Sequence, residues 1–229
     1  MKKDILLIAC GMIQDEVKLA MKNTGISYDT IWMSSDLHSN PDFLKDELQK
    51  QINAHQDYEM ILLGYGSCGK GLVGLVSEKT KIAFLRTEDC IQMLLHNNKE
   101  LKSLRGETYF VTKGWMEAKK SLNEEYHHAI NKYGPKRAEM IMKIMFGNHQ
   151  SLVMIDSGAY DLENWIHCAR HLGQVLKLDF STTQGNVDLL EMFLSLNWNH
   201  QVVVIAPKNT ITVDDFGVEC AIAGSENRQ

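Results

Sequence analysis

Asp4-Ile5-Leu6-Leu7-Ile8-Ala9-Cys10-Gly11 is an apolar run of strand length that closes on a cysteine and a glycine. An unbroken apolar run predicts a strand covered on both faces, as in a parallel sheet. Gly11 lets the backbone turn sharply. Gln14 to Asn23 then follow a helical pattern that stops at Gly25. This strand–helix unit sets a rhythm that the chain repeats. Strands are predicted over Tyr28 to Met33, Glu59 to Gly64, Lys81 to Leu85 and Thr108 to Thr112. Asn40-Pro41-Asp42 opens a helix through Ala54, with proline at the tolerated first turn. Such alternation implies an α/β fold with parallel strands, right-handed crossovers and helices on both faces.

From Trp115 to Phe146 the pattern is helical and highly charged, broken at Gly134-Pro135. Alternation then resumes. Leu152 to Ile155 reads as a strand, Leu162 to Leu172 as a helix, and Val175 to Asp179 as a strand. Val187 to Leu196 reads as a helix and Gln201 to Ile205 as a strand, before a polar, peripheral tail from Asp214. The expected architecture is two Rossmann-like lobes around a cleft. Residues 1–114 form an N-terminal α/β lobe carrying the cysteine site, 115–147 a helical connection, and 148–229 a C-terminal α/β lobe. One continuous sheet is the alternative.

At 229 residues and 44% hydrophobic, the chain can bury a substantial core. A net charge of -5 without a basic face argues against a nucleic-acid partner. Apolar stretches such as Met60 to Leu63 and Val202 to Ala206 fall far short of the roughly 20 residues a bilayer helix needs. No membrane partner is expected. The apolar run after the start, Met1-Lys2-Lys3-Asp4-Ile5, is short for a signal peptide and gives way at once to Gln14, Asp15, Glu16 and Lys18 of an amphipathic helix, so a cytoplasmic location is expected. Five cysteines in a reducing compartment point to metal binding, catalysis or burial rather than disulfides.

Three of the five follow predicted strands: Cys10, Cys68 and Cys90. Ligands of open α/β sheets bind outside the carboxyl ends of the strands, so these residues can meet although they are remote in sequence. Cys68 lies in Gly64-Tyr65-Gly66-Ser67-Cys68-Gly69-Lys70-Gly71, where glycines permit close approach of a ligand. Cys90 lies in Arg86-Thr87-Glu88-Asp89-Cys90-Ile91, at a predicted helix start that favours thiolate. A lone cysteine is more often a small buried hydrophobe; three after different strands shift the balance toward ligands. Soft donors select zinc, copper or an iron–sulfur cluster over magnesium or calcium. Three thiolates with one open position suit a catalytic zinc or a [4Fe-4S] cubane with one unligated iron. His38 is a candidate fourth ligand, or a plain surface histidine. Cys168, within a predicted helix, is expected in the core, and Cys220 lacks strand-end placement.

Arg86 and Lys113 are candidates to bind an anionic small-molecule substrate, with Asp89 beside them. The ordinary reading of Arg86 is an ion pair with Asp89 or Glu88. Trp115 offers a substrate platform or a core anchor, and Asp156 a ligand-orienting carboxylate or a turn cap. His127-His128 and His167 with His171 read as surface positions without a zinc-protease glutamate. Gly66, Ser67 and Gly69 also belong to a formal match to the dinucleotide fingerprint, followed by Glu88 and Asp89 at about the required spacing. That match favours nucleotide or S-adenosylmethionine binding, but it follows the third strand rather than the first, and little helix follows it.

Ile8-Ala9-Cys10-Gly11, Leu37-His38, Tyr65-Gly66-Ser67-Cys68-Gly69, Arg86 to Ile91 and Thr112-Lys113-Gly114-Trp115 together resemble a prokaryotic family, domain of unknown function 1638. The similarity runs from the first strand to about Pro207. It implies a bacterial or archaeal protein, often of anaerobes, encoded near genes of corrinoid-dependent methyl transfer, and so a corrinoid or methyltransferase protein as partner. It implies no reaction. The residues themselves favour a metal- or cluster-dependent enzyme, of transferase or lyase type, acting on a small anionic molecule. A non-catalytic carrier of a metal, cluster or corrinoid-related ligand is the second reading, and nucleotide binding over inert cysteines the third.

Overall fold

The computed structural model describes residues 3–118 and 122–217. The opening run forms β1 (Lys3–Cys10), whose last five residues are all buried. A short 3-10 turn over Gly11–Ile13 leads into α1 (Gln14–Thr24), which ends on Gly25 in the left-handed conformation, φ 71°. β2 (Asp29–Met33) follows. α2 (Pro41–Ala54) is capped by the Asn40 side chain, which accepts from the amides of Asp42 and Phe43. β3 (Tyr58–Gly64) and β4 (Lys81–Leu85) are joined by turns rather than by a helix. α3 (Cys90–Leu94) and α4 (Leu101–Leu104) are one-turn segments.

β5 (Thr108–Val111) and α5 (Lys113–Glu117) come next, then the hairpin of α6 (Leu122–Tyr133) and α7 (Pro135–Phe146). β6 (Ser151–Asp156), α8 (Glu163–Leu176), β7 (Asp179–Gln184), α9 (Asp188–Leu194) and β8 (Val202–Ile205) complete the order. The fold is α/β, with parallel sheets flanked by helices.

Two sheets form. The first has the order β2-β1-β3-β4-β8, parallel except for β8, which runs antiparallel to β4 at the edge; the second is β5-β6-β7, all parallel. The strands therefore divide at other places than the expected 1–114, 115–147 and 148–229. β5 leaves the first sheet to pair with β6, while α9 returns to pack on α1 and β8 rejoins the first sheet. Alternation along the chain reports strand and helix but not which strands become neighbours. β7 also begins later than expected, because Val175 and Leu176 continue α8 until Lys177 ends it at φ 58°. Each sheet has its own apolar core: Leu7, Ile8, Leu62, Leu63 and Phe84 are central to one, and Leu152, Met154 and Leu172 to the other.

Among the described residues no helix is long and apolar enough to cross a membrane.

Candidate functional site

In the first sheet β1 connects to β2 on one side, and the chain then crosses back past β1 to β3 on the other. The carboxyl ends of β1 and β3 thus flank the switch point, where open α/β sheets bind ligands. Cys10 is the last residue of β1, and Ala9 lies beside Gly64 of β3. Tyr65 directly follows β3 and turns its phenol toward the Cys10 thiol. Cys68 follows three residues on, in a strained run: Cys68, Gly69 and Lys70 have φ of 47°, 68° and 74°. The third cysteine, Cys90, opens α3 after β4.

Two loops are laced together to hold this arrangement. The Ser67 amide donates to the Thr87 carbonyl at 2.8 Å and the Cys68 amide to the Glu88 carbonyl at 2.8 Å. Gly66 is obligatory there, since a Cβ would stand 2.7 Å from both the Asp89 nitrogen and the Thr87 carbonyl oxygen. A third loop comes from the second sheet. Gly114 presses on Met12, where a Cβ would meet the Met12 carbonyl oxygen at 2.0 Å, and the Trp115 indole donates toward the Cys90 sulfur.

All three thiols are pushed up from their ordinary range, in each case mainly by burial. The further causes show who their neighbours are. Ionisation of Cys68 is opposed next by Cys10, and that of Cys90 by Asp89, Cys10 and Cys68. Tyr65 is raised by burial and then by Cys10, Cys68 and Cys90 in turn. The expectation that a helix start lowers the Cys90 thiol is therefore corrected. α3 spans only five residues, and burial with the Asp89 carboxylate outweighs its amides. Among the described residues no three His, Cys, Asp or Glu side chains stand as a ready-made ion clasp. The thiols are electrostatic neighbours, and ligation requires them to turn toward a common centre. Two buried hydroxyls, Tyr65 Oη and Thr87 Oγ1, find no hydrogen-bond partner among the described nitrogen and oxygen atoms.

The other sequence candidates fall in different places. Asp89 caps α3 by accepting from the Gln92 amide and is clasped by Arg105 through two bonds, 2.5 and 2.7 Å long. Arg105, not Arg86, is thus the cation of this loop; Arg86 is exposed. Lys113 is held by Asp15 at 2.7 Å, with Glu117 at 3.7 Å, so it offers no unpaired charge to an anion. The amides of Ser67 and Cys68 are engaged by the neighbouring loop and turns follow Gly69, so Gly66, Ser67 and Gly69 lack the helix start of a dinucleotide cradle. Asp156 serves as a turn cap, accepting from the Gly158 amide. His127, His128, His167 and His171 are exposed. Cys168 is exposed too, because Ala169, Leu172 and Leu176 take the inward face of α8. The His38 side chain and Cys220 lie outside the described residues.

Sequence reasoning missed Glu16. It is 1% exposed on α1, accepts a 2.9 Å hydrogen bond from the Ser157 hydroxyl after β6, and burial raises its pKa to about 7. The signal was present, since Glu16 shares the inward helical spacing of Ile13 and Ala20. Arg105, Tyr109 and His149 were also passed over, having no motif around them.

The family model described as "Protein of unknown function (DUF1638)" matches residues 32–194. The chain belongs to this family. The match includes Cys68 and Cys90 and begins after Cys10. No curated protein and no solved structure matches the chain.

Proposed function

We propose that Cys10, Cys68 and Cys90 are the ligands of a zinc ion or a [4Fe-4S] cluster with one coordination position open. In this reading the protein is an enzyme of small-molecule metabolism. The observation that carries it is the neighbourhood of three thiols, two buried and that of Cys68 half-buried, which follow β1 and β3 at the switch point and the adjacent β4. Buried among each other, thiols are held neutral; a soft cation reverses that balance, releases their protons and binds the thiolates. The Tyr65 phenol, already turned toward the Cys10 thiol, would hydrogen-bond to the thiolate or to a ligand atom at the centre.

The bound metal would act as Lewis acid toward a substrate sulfur or oxygen. The protein's share is to exclude water, fix the thiols through the laced loops, and hold Cys90 with Trp115 and the Asp89–Arg105 pair. Arg86 and Lys113 lend no support to the anionic substrate expected from the sequence, since one is exposed and the other paired. The corrinoid or methyl-transfer setting implied by the family resemblance suits a zinc-bound thiolate acceptor, with a corrinoid or methyltransferase protein as partner.

Anaerobically purified or reconstituted protein is the test. Cys10→Ser, Cys68→Ser or Cys90→Ser should each abolish or greatly reduce metal content, while Cys168→Ser should leave it unchanged. Undiminished metal in all three variants rejects the site.

A further inference from the structure

A cavity of about 220 Å³ opens beside Cys90, walled on its far side by the second sheet. We propose that it binds a small, uncharged ring compound carrying one hydrogen-bonding nitrogen or oxygen. This deepens the reading above: the claim that the compound is the substrate of the three-thiolate centre rests on that centre, whereas the cavity itself does not.

Size and lining set the class. An apolar cavity of about 150 Å³ already accommodates benzene, so this one has room for a single or small fused ring. Its walls are supplied by Ile91, Tyr109, Phe110 and Trp115, with Cys90 on the side of the thiols. The aromatic wall is fixed in place. Tyr109 meets Trp115, Phe146 and His149 edge-on, with interplanar angles of 83°, 87° and 82° and centroids 6.1, 5.2 and 5.7 Å away. Edge-to-face packing of this kind favours another ring in the remaining space.

Charge excludes an anion. The only cation lining the cavity among the described residues is Arg105, and Asp89 already holds it through two bonds with Glu88 at 3.9 Å. A carboxylate or phosphate entering there meets the Asp89 carboxylate and a guanidinium that is already paired. His149 also lines the cavity, and a turn of its ring would bring to face it the Nδ1 that is now buried with no partner among the described residues. A ring heteroatom would satisfy it.

The test uses the full-length, metal-free chain, titrated with benzimidazole and separately with benzoate, each followed by NMR. Benzimidazole should bind saturably, and benzoate roughly tenfold more weakly or worse. Ile91→Phe, which fills the cavity, should lower benzimidazole affinity by roughly tenfold. His149→Ala, at a half-buried position, should lower it about fivefold through the lost hydrogen bond. Circular dichroism of both variants separates cavity filling from misfolding. Cys68→Ser, which does not line the cavity, should strip the metal from reconstituted protein yet leave benzimidazole affinity of the metal-free chain unchanged, so failure of the metal centre and failure of the cavity are distinguishable. Non-saturable benzimidazole binding, equal binding of benzoate, or unchanged affinity in His149→Ala overturns the proposal.

Discussion

The phenol of Tyr65 is 3% exposed and meets no nitrogen or oxygen partner among the described residues. Its contact with the Cys10 thiol is a weak hydrogen bond, so burying this hydroxyl still costs free energy that a ligand at the thiols would offset. Tyr65→Phe should therefore stabilise the metal-free chain by about 1 kcal/mol in urea denaturation while weakening metal retention. A loss of stability in the metal-free chain would show instead that the Tyr65–Cys10 contact holds the loop. At the same scale, Gly66→Ala forces a Cβ against backbone on both sides. It should destabilise by about 1–3 kcal/mol, read as a lower urea midpoint at unchanged slope. The strand-end placement of the three cysteines was legible in the sequence because each follows an apolar run. Tyr65 was not, since a tyrosine beside glycines carries no sign of where its hydroxyl points.

Among the elements, α1 links the two sheets. Its Glu16 is bonded to Ser157 after β6, its Asp15 to Lys113 after β5, and both contacts cross from one sheet to the other. Asp15, Lys113, Tyr160 and Asp156 are the charged or titratable groups around that junction. The ordinary Glu16 pKa of 4.5 rises to about 7 in the fold. Below 4.5 the carboxyl is protonated folded or unfolded. Between 4.5 and 7 only the folded chain keeps its proton, so stability falls as pH rises through that window and this contribution is constant above it. Glu16→Gln should remove that slope, shifting its stability relative to wild type by about 3 kcal/mol in its favour between pH 4.5 and 8. An equal difference at both pH values would contradict the buried-proton account. Strand and helix boundaries were largely readable from periodicity, with β7 the clear exception. There the apolar Val175 and Leu176 fit either element, and α8 claimed them.

At the scale of the whole molecule, the described residues form a five-stranded sheet into which a three-stranded sheet is inserted between α4 and α9. Class and parallel pairing followed from the alternating pattern. Partnership of strands did not, because β5 and β8 are each compatible with either sheet and only long-range packing decides. The insertion places Trp115, Tyr109 and His149 beside Cys90, so site and fold are coupled. Metal loading should accordingly stabilise both sheets in one transition, by about 4 kcal/mol when free metal is a thousandfold above its dissociation constant; two separate thermal transitions on loading would speak against that coupling. X-ray absorption at the metal edge of the anaerobically loaded wild-type chain tests the central claim most directly. The account predicts a sulfur shell with three cysteine donors: zinc–sulfur distances of about 2.3 Å, or the iron–iron scattering of a cubane. A shell of nitrogen and oxygen alone, or no metal retained after loading, would contradict it.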